Sequence, residues 1–143
     1  MNRVEKTVDL HENGGLNCSQ AILTAFGESF GMDPETAKLL GRPWGGGMGH
    51  LGITCGYLTG AVLVLAQAIN NKDERQARKD SFQAVQELFR RFKERHGTVM
   101  CKELLGADFS TEEGTKKIRE EQLVAKHCYG YARDAAEILE ELL

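Results

Sequence analysis

The chain has 143 residues, 27% of them charged and 41% hydrophobic, with a formal net charge of −3, which suits one globular domain over residues 1–143. The small net charge and the lack of a basic run argue against nucleic acid as a partner. The polar start is unlike a signal peptide, and the longest apolar stretch is short for a membrane span, so the sequence predicts a cytoplasmic protein without membrane insertion.

Apolar residues recur at helical spacing through the first part of the chain. They predict a short first helix that ends before Gly14. Asn17 is a favoured N-cap residue, and the apolar pattern that follows it predicts a helix over 18–30. Pro34, which suits the first position of a helix, predicts another short helix that stops near Gly41.

A glycine-rich segment, GRPWGGGMGHLG, occupies residues 41–52 and predicts a loop, because glycine at this density disfavours regular structure. It lacks the G-K-[ST] and G-x-G-x-x-G patterns and no strand precedes it, so a nucleotide site is not favoured. The glycines would instead permit a tight chain path beside Cys55 or admit a flat ligand. The candidate ligand-binding residues of this loop are Gly45, Gly46, Gly47, Gly49 and His50.

The segment 55–69 is apolar almost all round, which predicts a buried central helix that Thr54 would cap. Gly56 and Gly60 lie four residues apart on one face, where they would let another helix approach closely. We expect the helix over 18–30, a long amphipathic helix over 73–96 and the last helix to surround it.

The remaining sequence predicts short helices near Cys101 and after a Ser110–Glu113 capping box, and a last helix that carries Cys128 near its start. The pattern leaves open whether 111–142 is one helix or two. We therefore predict an all-α, single-domain bundle of five to seven helices around the central helix.

Four cysteines carry the chemical interest of this sequence, and each is predicted at or near the start of a helix. They are Cys18, Cys55, Cys101 and Cys128. The positive end of the helix dipole favours the thiolate, which is both a nucleophile and a metal ligand. No C-x-x-C pair occurs, so a shared site would have to be assembled from separate helices.

Four segments around these cysteines resemble a redox-active protein family named for its C…GCAxxG…C…C pattern. The segments are NCSQAILTAF, WGGGMGHLGITCGYLTGAV, GTVMCKELLG and KHCYGYARDAAEILEEL. The resemblance covers nearly the whole chain and implies an all-helical fold with a redox role. Similar domains accompany haem and iron–sulfur modules in some electron-transfer proteins. This chain has Tyr57 where the family usually has alanine.

Three interpretations remain open from the sequence. In the first, Cys55 is the reactive thiol of a reversible dithiol/disulfide couple with Cys18, Cys101 and Cys128, and the partner is a redox protein or a small oxidant. In the second, these four thiolates bind an iron–sulfur cluster or another metal. In the third, the chain is a non-catalytic helical adaptor with buried cysteines. Whether the protein is an enzyme is left open, and a homodimer would cover any apolar helix face that the monomer leaves exposed.

Overall fold

The computed structural model of the protein describes residues 1–143 and contains eight α-helices and no strand. In chain order the helices are α1 (Arg3–Glu12), α2 (Cys18–Gly27), α3 (Pro34–Gly41), α4 (Gly56–Ala68), α5 (Glu74–His96), α6 (Cys101–Leu105), α7 (Glu112–Glu120) and α8 (Tyr129–Leu142). Short 3₁₀ segments follow α2 and α3, and a π-helical segment, Val124–Cys128, leads into α8. The predicted all-α class is confirmed.

The eighth helix comes from the region 111–142, which contains both α7 and α8. Gln122 lies between them with a left-handed backbone conformation (φ 52°). A left-handed residue interrupts the right-handed helical path, so α7 ends before this point and the chain changes direction.

Side-chain caps define where several helices begin. Asn17 accepts a hydrogen bond from the Gln20 N–H, and the Gln20 side chain accepts one from the Asn17 N–H, which completes a capping box at α2. Asp33 caps α3 with Pro34 at the first helical position, as predicted. The expected cap at Ser110 is wrong by one residue, because the Thr111 side chain accepts from the Gly114 N–H instead.

Helix α4 packs against α2, α5 and α8, and its closest approach to α2 is at its glycines. A Cβ atom on Gly60 would lie 2.8 Å from the carbonyl oxygen of Ser19, and one on Gly56 would collide with the sulfur of Cys18. The core around this contact is formed by large side chains of α2, α4, α5 and α8, including Ile22, Phe26, Leu58, Leu65, Leu88, Phe92, Ile138 and Leu139.

We predict that Gly60→Ala lowers the free energy of unfolding by about 1–3 kcal/mol, because the added methyl group forces α2 and α4 apart. Gly130→Ala is the matched control, since Gly130 is exposed in α8 and a Cβ there meets no atom within 4 Å. That variant should stabilise the protein by about 0.5–1 kcal/mol, as alanine is the better helix former. Urea unfolding measures both, and equal midpoints for the two variants would contradict the close α2–α4 contact.

Candidate functional site

One cavity of about 410 Å³ is lined by all four cysteines. Cys18 is the first residue of α2, Cys55 is the N-cap of α4, and Cys101 is the first residue of α6. Cys128 ends the π-helical segment before α8. The fold therefore brings together thiols from four separate elements, as a shared site requires.

A short antiparallel bridge between Thr54 and Met100 sets the starts of α4 and α6 side by side. The Cys55 N–H donates to the Val99 carbonyl oxygen at 2.9 Å, and the Cys101 N–H donates to the Ile53 carbonyl oxygen. Thr54 therefore takes part in this bridge and does not cap α4, whose N-cap, Cys55, makes no side-chain capping bond.

Cys128 does not lie at a free helix start, which corrects the expectation for the fourth cysteine. The backbone is right-handed helical at Leu123, Cys128 and Tyr129, so the π-helical segment passes directly into α8. The N–H groups in this region already have carbonyl partners, such as Lys126 with Gln122. The argument from a helix N-terminus therefore does not apply to the Cys128 thiol.

The glycine-rich loop forms part of the cavity wall. Gly45, Gly46, Gly49 and His50 line the cavity, whereas Gly47 lies behind Cys101, where a Cβ atom would come within 2.6 Å of the Cys101 Cβ. Gly46 and Gly47 both have positive φ angles, 65° and 72°. Glycine at these two positions allows the chain to turn tightly against the thiols. Ligand binding by these residues remains a prediction.

Backbone N–H groups near the sulfur of Cys18 act to lower the pKa of this thiol. They belong to Gly46, Ser19, Cys18 itself and Gly56. Ser19 is in the first turn of α2 and Gly56 begins α4, so two helix starts and the glycine-rich loop meet at one sulfur atom. Such donors favour a thiolate at Cys18.

Burial nevertheless raises the pKa of all four thiols, contrary to the lowering expected from helix starts. The pKa of Cys101 is raised to about 12, and that of Cys55 lies well above its usual value. The cost of placing a charged thiolate away from water is larger than the stabilisation by N–H donors even at Cys18, so the pKa of Cys18 is also raised. A negative charge on Cys18 would raise the pKa of Cys55, Cys101 and Cys128 further, since the thiols lie close together.

The thiols are free, and no three His, Cys, Asp or Glu side chains are grouped closely enough to hold a metal ion. A structural zinc site needs four ligands in tetrahedral geometry, and iron–sulfur clusters need a comparable set of thiolates. As the structure places them, these side chains do not form such a ligand set.

A protein family described as "Putative redox-active protein (C_GCAxxG_C_C)" matches residues 16–142. The chain belongs to this family. The match includes all four cysteines and the glycine-rich loop but not α1. No curated protein and no solved structure matches the chain. None of the helices combines the length and apolar character needed to cross a membrane.

The GCAxxG part of the family pattern places alanine directly after the cysteine, which is Gly56 in this chain, so the expected departure from the family at Tyr57 is wrong. Tyr57 is 1% exposed and hydrogen-bonds through its hydroxyl group to Nδ1 of His11. His11 also packs edge-on against Tyr129, with ring centroids 5.4 Å apart. Both His11 and Tyr57 line the cavity, so α1 contributes to the site although it lies outside the family match. The sequence gives no sign of this contact, because nothing near His11 in the chain indicates a distant tyrosine.

Burial lowers the pKa of His11 to about 4, which keeps the ring neutral near neutral pH. Burial also raises the pKa of Tyr57 well above its usual value. The pair is therefore uncharged, with a hydrogen bond between the phenol oxygen and Nδ1 of His11.

We predict that alkylation of Cys101 in the folded protein accelerates about tenfold per pH unit and does not level off near pH 9. The reason is that only the thiolate reacts, and the pKa of Cys101 is raised to about 12. Iodoacetamide rates up to about pH 10.5, read by peptide mass spectrometry, measure this. When the chain is unfolded in urea, the alkylation rate of Cys101 should level off once the pH passes the ordinary thiol pKa. If the rate in the folded protein levels off at the same pH, the pKa of Cys101 is not raised.

A second pH effect follows from His11. Its folded-state pKa is below its unfolded value, so the neutral ring stabilises the fold above about pH 6.5, and this contribution is lost as the pH falls towards about 4. In the wild type, we expect the free energy of unfolding to fall by about 2–3 kcal/mol between about pH 6.5 and about pH 4 because of His11. We predict that His11→Gln, which can still form a hydrogen bond with Tyr57, removes this fall. Urea unfolding at several pH values compares the two proteins, with His50→Gln as the exposed control. If the free energy of unfolding changes equally with pH in the wild type and in His11→Gln, the conclusion that the His11 ring is buried and neutral is wrong.

Proposed function

We propose that this protein is a thiol-based redox protein that cycles between a dithiol and a disulfide. The observation that carries the proposal is the convergence of all four cysteines on one cavity. Buried structural cysteines have no reason to share a cavity, whereas a redox couple needs two thiols within reach of each other and of an oxidant. Membership of a family described as redox-active supports the same function.

Cys18 is the proposed attacking thiol, in place of Cys55, which the sequence favoured. The N–H groups of Gly46 and Gly56 offset part of the cost of forming a buried thiolate at Cys18. Among the thiols, a charge on Cys18 would raise the pKa of each of the other three the most.

Cys55 is the proposed resolving thiol. It is only 6% exposed, so a bulky oxidant has little direct access to it. The sulfur of Cys18 lies against Gly56, the residue next to Cys55, so the two cysteines are neighbours across the α2–α4 contact. A thiol that attacks second does not itself need exposure to the oxidant.

The chemistry balances as two thiol–disulfide exchanges. Cys18 loses its proton to solvent, and its thiolate attacks one sulfur of a disulfide, which releases the other sulfur as a thiolate. Cys55 then loses its proton and attacks the Cys18 sulfur of the mixed disulfide, which releases the second thiolate. Two protein thiols become one disulfide, and the oxidant disulfide, from a redox partner protein or a small molecule, becomes two thiols.

We predict that mild oxidation lowers the number of titratable thiols from four to two. Cys18→Ser and Cys55→Ser should each prevent the intramolecular disulfide, whereas Cys101→Ser and Cys128→Ser serve as controls that keep it. Equilibration in dithiothreitol redox buffers, followed by alkylation and intact mass, measures the thiol number, and circular dichroism shows whether each variant is folded.

Two results would contradict the proposal. If all four thiols stay reduced in every buffer, the cysteines are packing residues. If protein purified without oxygen contains stoichiometric iron or zinc that Cys18→Ser loses, the cysteines hold a metal.

A further inference from the structure

The cavity has the size and lining of a small-molecule site. Its volume of about 410 Å³ falls within the range of roughly 300–1,000 Å³ that is typical of such sites. Aliphatic and aromatic side chains from α6, the α6–α7 connection and the π-helical segment form one wall, namely Leu104, Leu105, Phe109 and Val124. An apolar wall of this kind suits the carbon skeleton of a bound organic molecule.

The permanent charge of the cavity lining is positive. Arg42 lines the cavity, is exposed to solvent and makes no ion pair. No aspartate or glutamate lines the cavity, so Arg42 is the residue of its lining that carries a permanent charge. An unpaired guanidinium presents donors that match a carboxylate.

Arg42 is held near the proposed attacking thiol. The side-chain amide of Asn17 donates to the Arg42 carbonyl oxygen at 3.0 Å, and Asn17 immediately precedes Cys18. Gly46, which follows Arg42 by four residues, lines the same cavity as Cys18. One short stretch of chain therefore places a cationic residue and a glycine of the loop beside the proposed attacking thiol.

From this arrangement we infer that the oxidant is a low-molecular-weight organic disulfide carrying a carboxylate, which binds with the carboxylate at Arg42 and its sulfur atoms at Cys18. The inference rests on the proposed function and names its substrate class. Cys18 and Cys55 are oxidised to a disulfide, and the bound disulfide is reduced to two carboxylate-bearing thiols. The two protons of the protein thiols pass to solvent or to the released thiolates.

The test compares three aliphatic disulfides of similar length and different charge. They are 3,3′-dithiodipropionate, which is anionic, 2-hydroxyethyl disulfide, which is neutral, and cystamine, which is cationic. Rates of intramolecular disulfide formation, read by quenched alkylation and mass, should fall in that order, and added salt should narrow the differences because the attraction is screened. Normalising each rate to the reaction of the disulfide with free cysteine removes its intrinsic reactivity.

Arg42→Gln should lower the normalised rate with the anionic disulfide by roughly two- to tenfold and leave the neutral one unchanged. Arg75→Gln is the matched control, because Arg75 is an exposed arginine in α5 that does not line the cavity. It should leave all three rates at wild-type values.

The outcomes separate this inference from the proposed function. If the three disulfides form the Cys18–Cys55 bond at equal normalised rates that neither salt nor Arg42→Gln changes, the substrate class is wrong and the redox function stands. If none of the three forms that bond but the dithiothreitol redox buffers do, the substrate class is wrong and the redox function stands. If the bond forms in neither case, both proposals fail.

Discussion

The close contact between α2 and α4 is the constraint on which the site depends. Because Gly56 and Gly60 have no side chains, the start of α2 lies directly on the start of α4. That contact places the Cys18 sulfur against the backbone of the residue that follows Cys55. A larger residue at Gly56 would occupy the position of the sulfur, so the same glycines that allow tight packing also fix the location of the reactive group.

Two opposing electrostatic effects act on the thiols. Helix starts and loop N–H groups favour the thiolate, whereas burial disfavours it, and burial is the larger effect at every cysteine. The thiols are consequently protonated near neutral pH. Protonated thiols react slowly with oxidants, so under the proposed function selectivity would come from which molecules the cavity admits.

The sequence was sufficient for features that depend on local patterns. Apolar periodicity and caps predicted the helical class and the start of α2 at Asn17, and the glycine spacing predicted close packing on α4. Features that depend on contacts between residues far apart in the chain could not be predicted from the sequence. The opposing effect of burial at the thiols depends on the assembled core, and the position of Cys128 depends on a π-helical segment that has no simple residue pattern.

Helix α1 adds a final consequence. The family match begins at residue 16, yet His11 lines the cavity and hydrogen-bonds to Tyr57. The four thiols thus belong to the family pattern, while part of the enclosure around them comes from a segment outside the match. Relatives with the same four cysteines but another N-terminal segment would expose their sulfur atoms to a different degree. Under the proposed function, side chains of α1 would therefore influence which molecules reach the thiols.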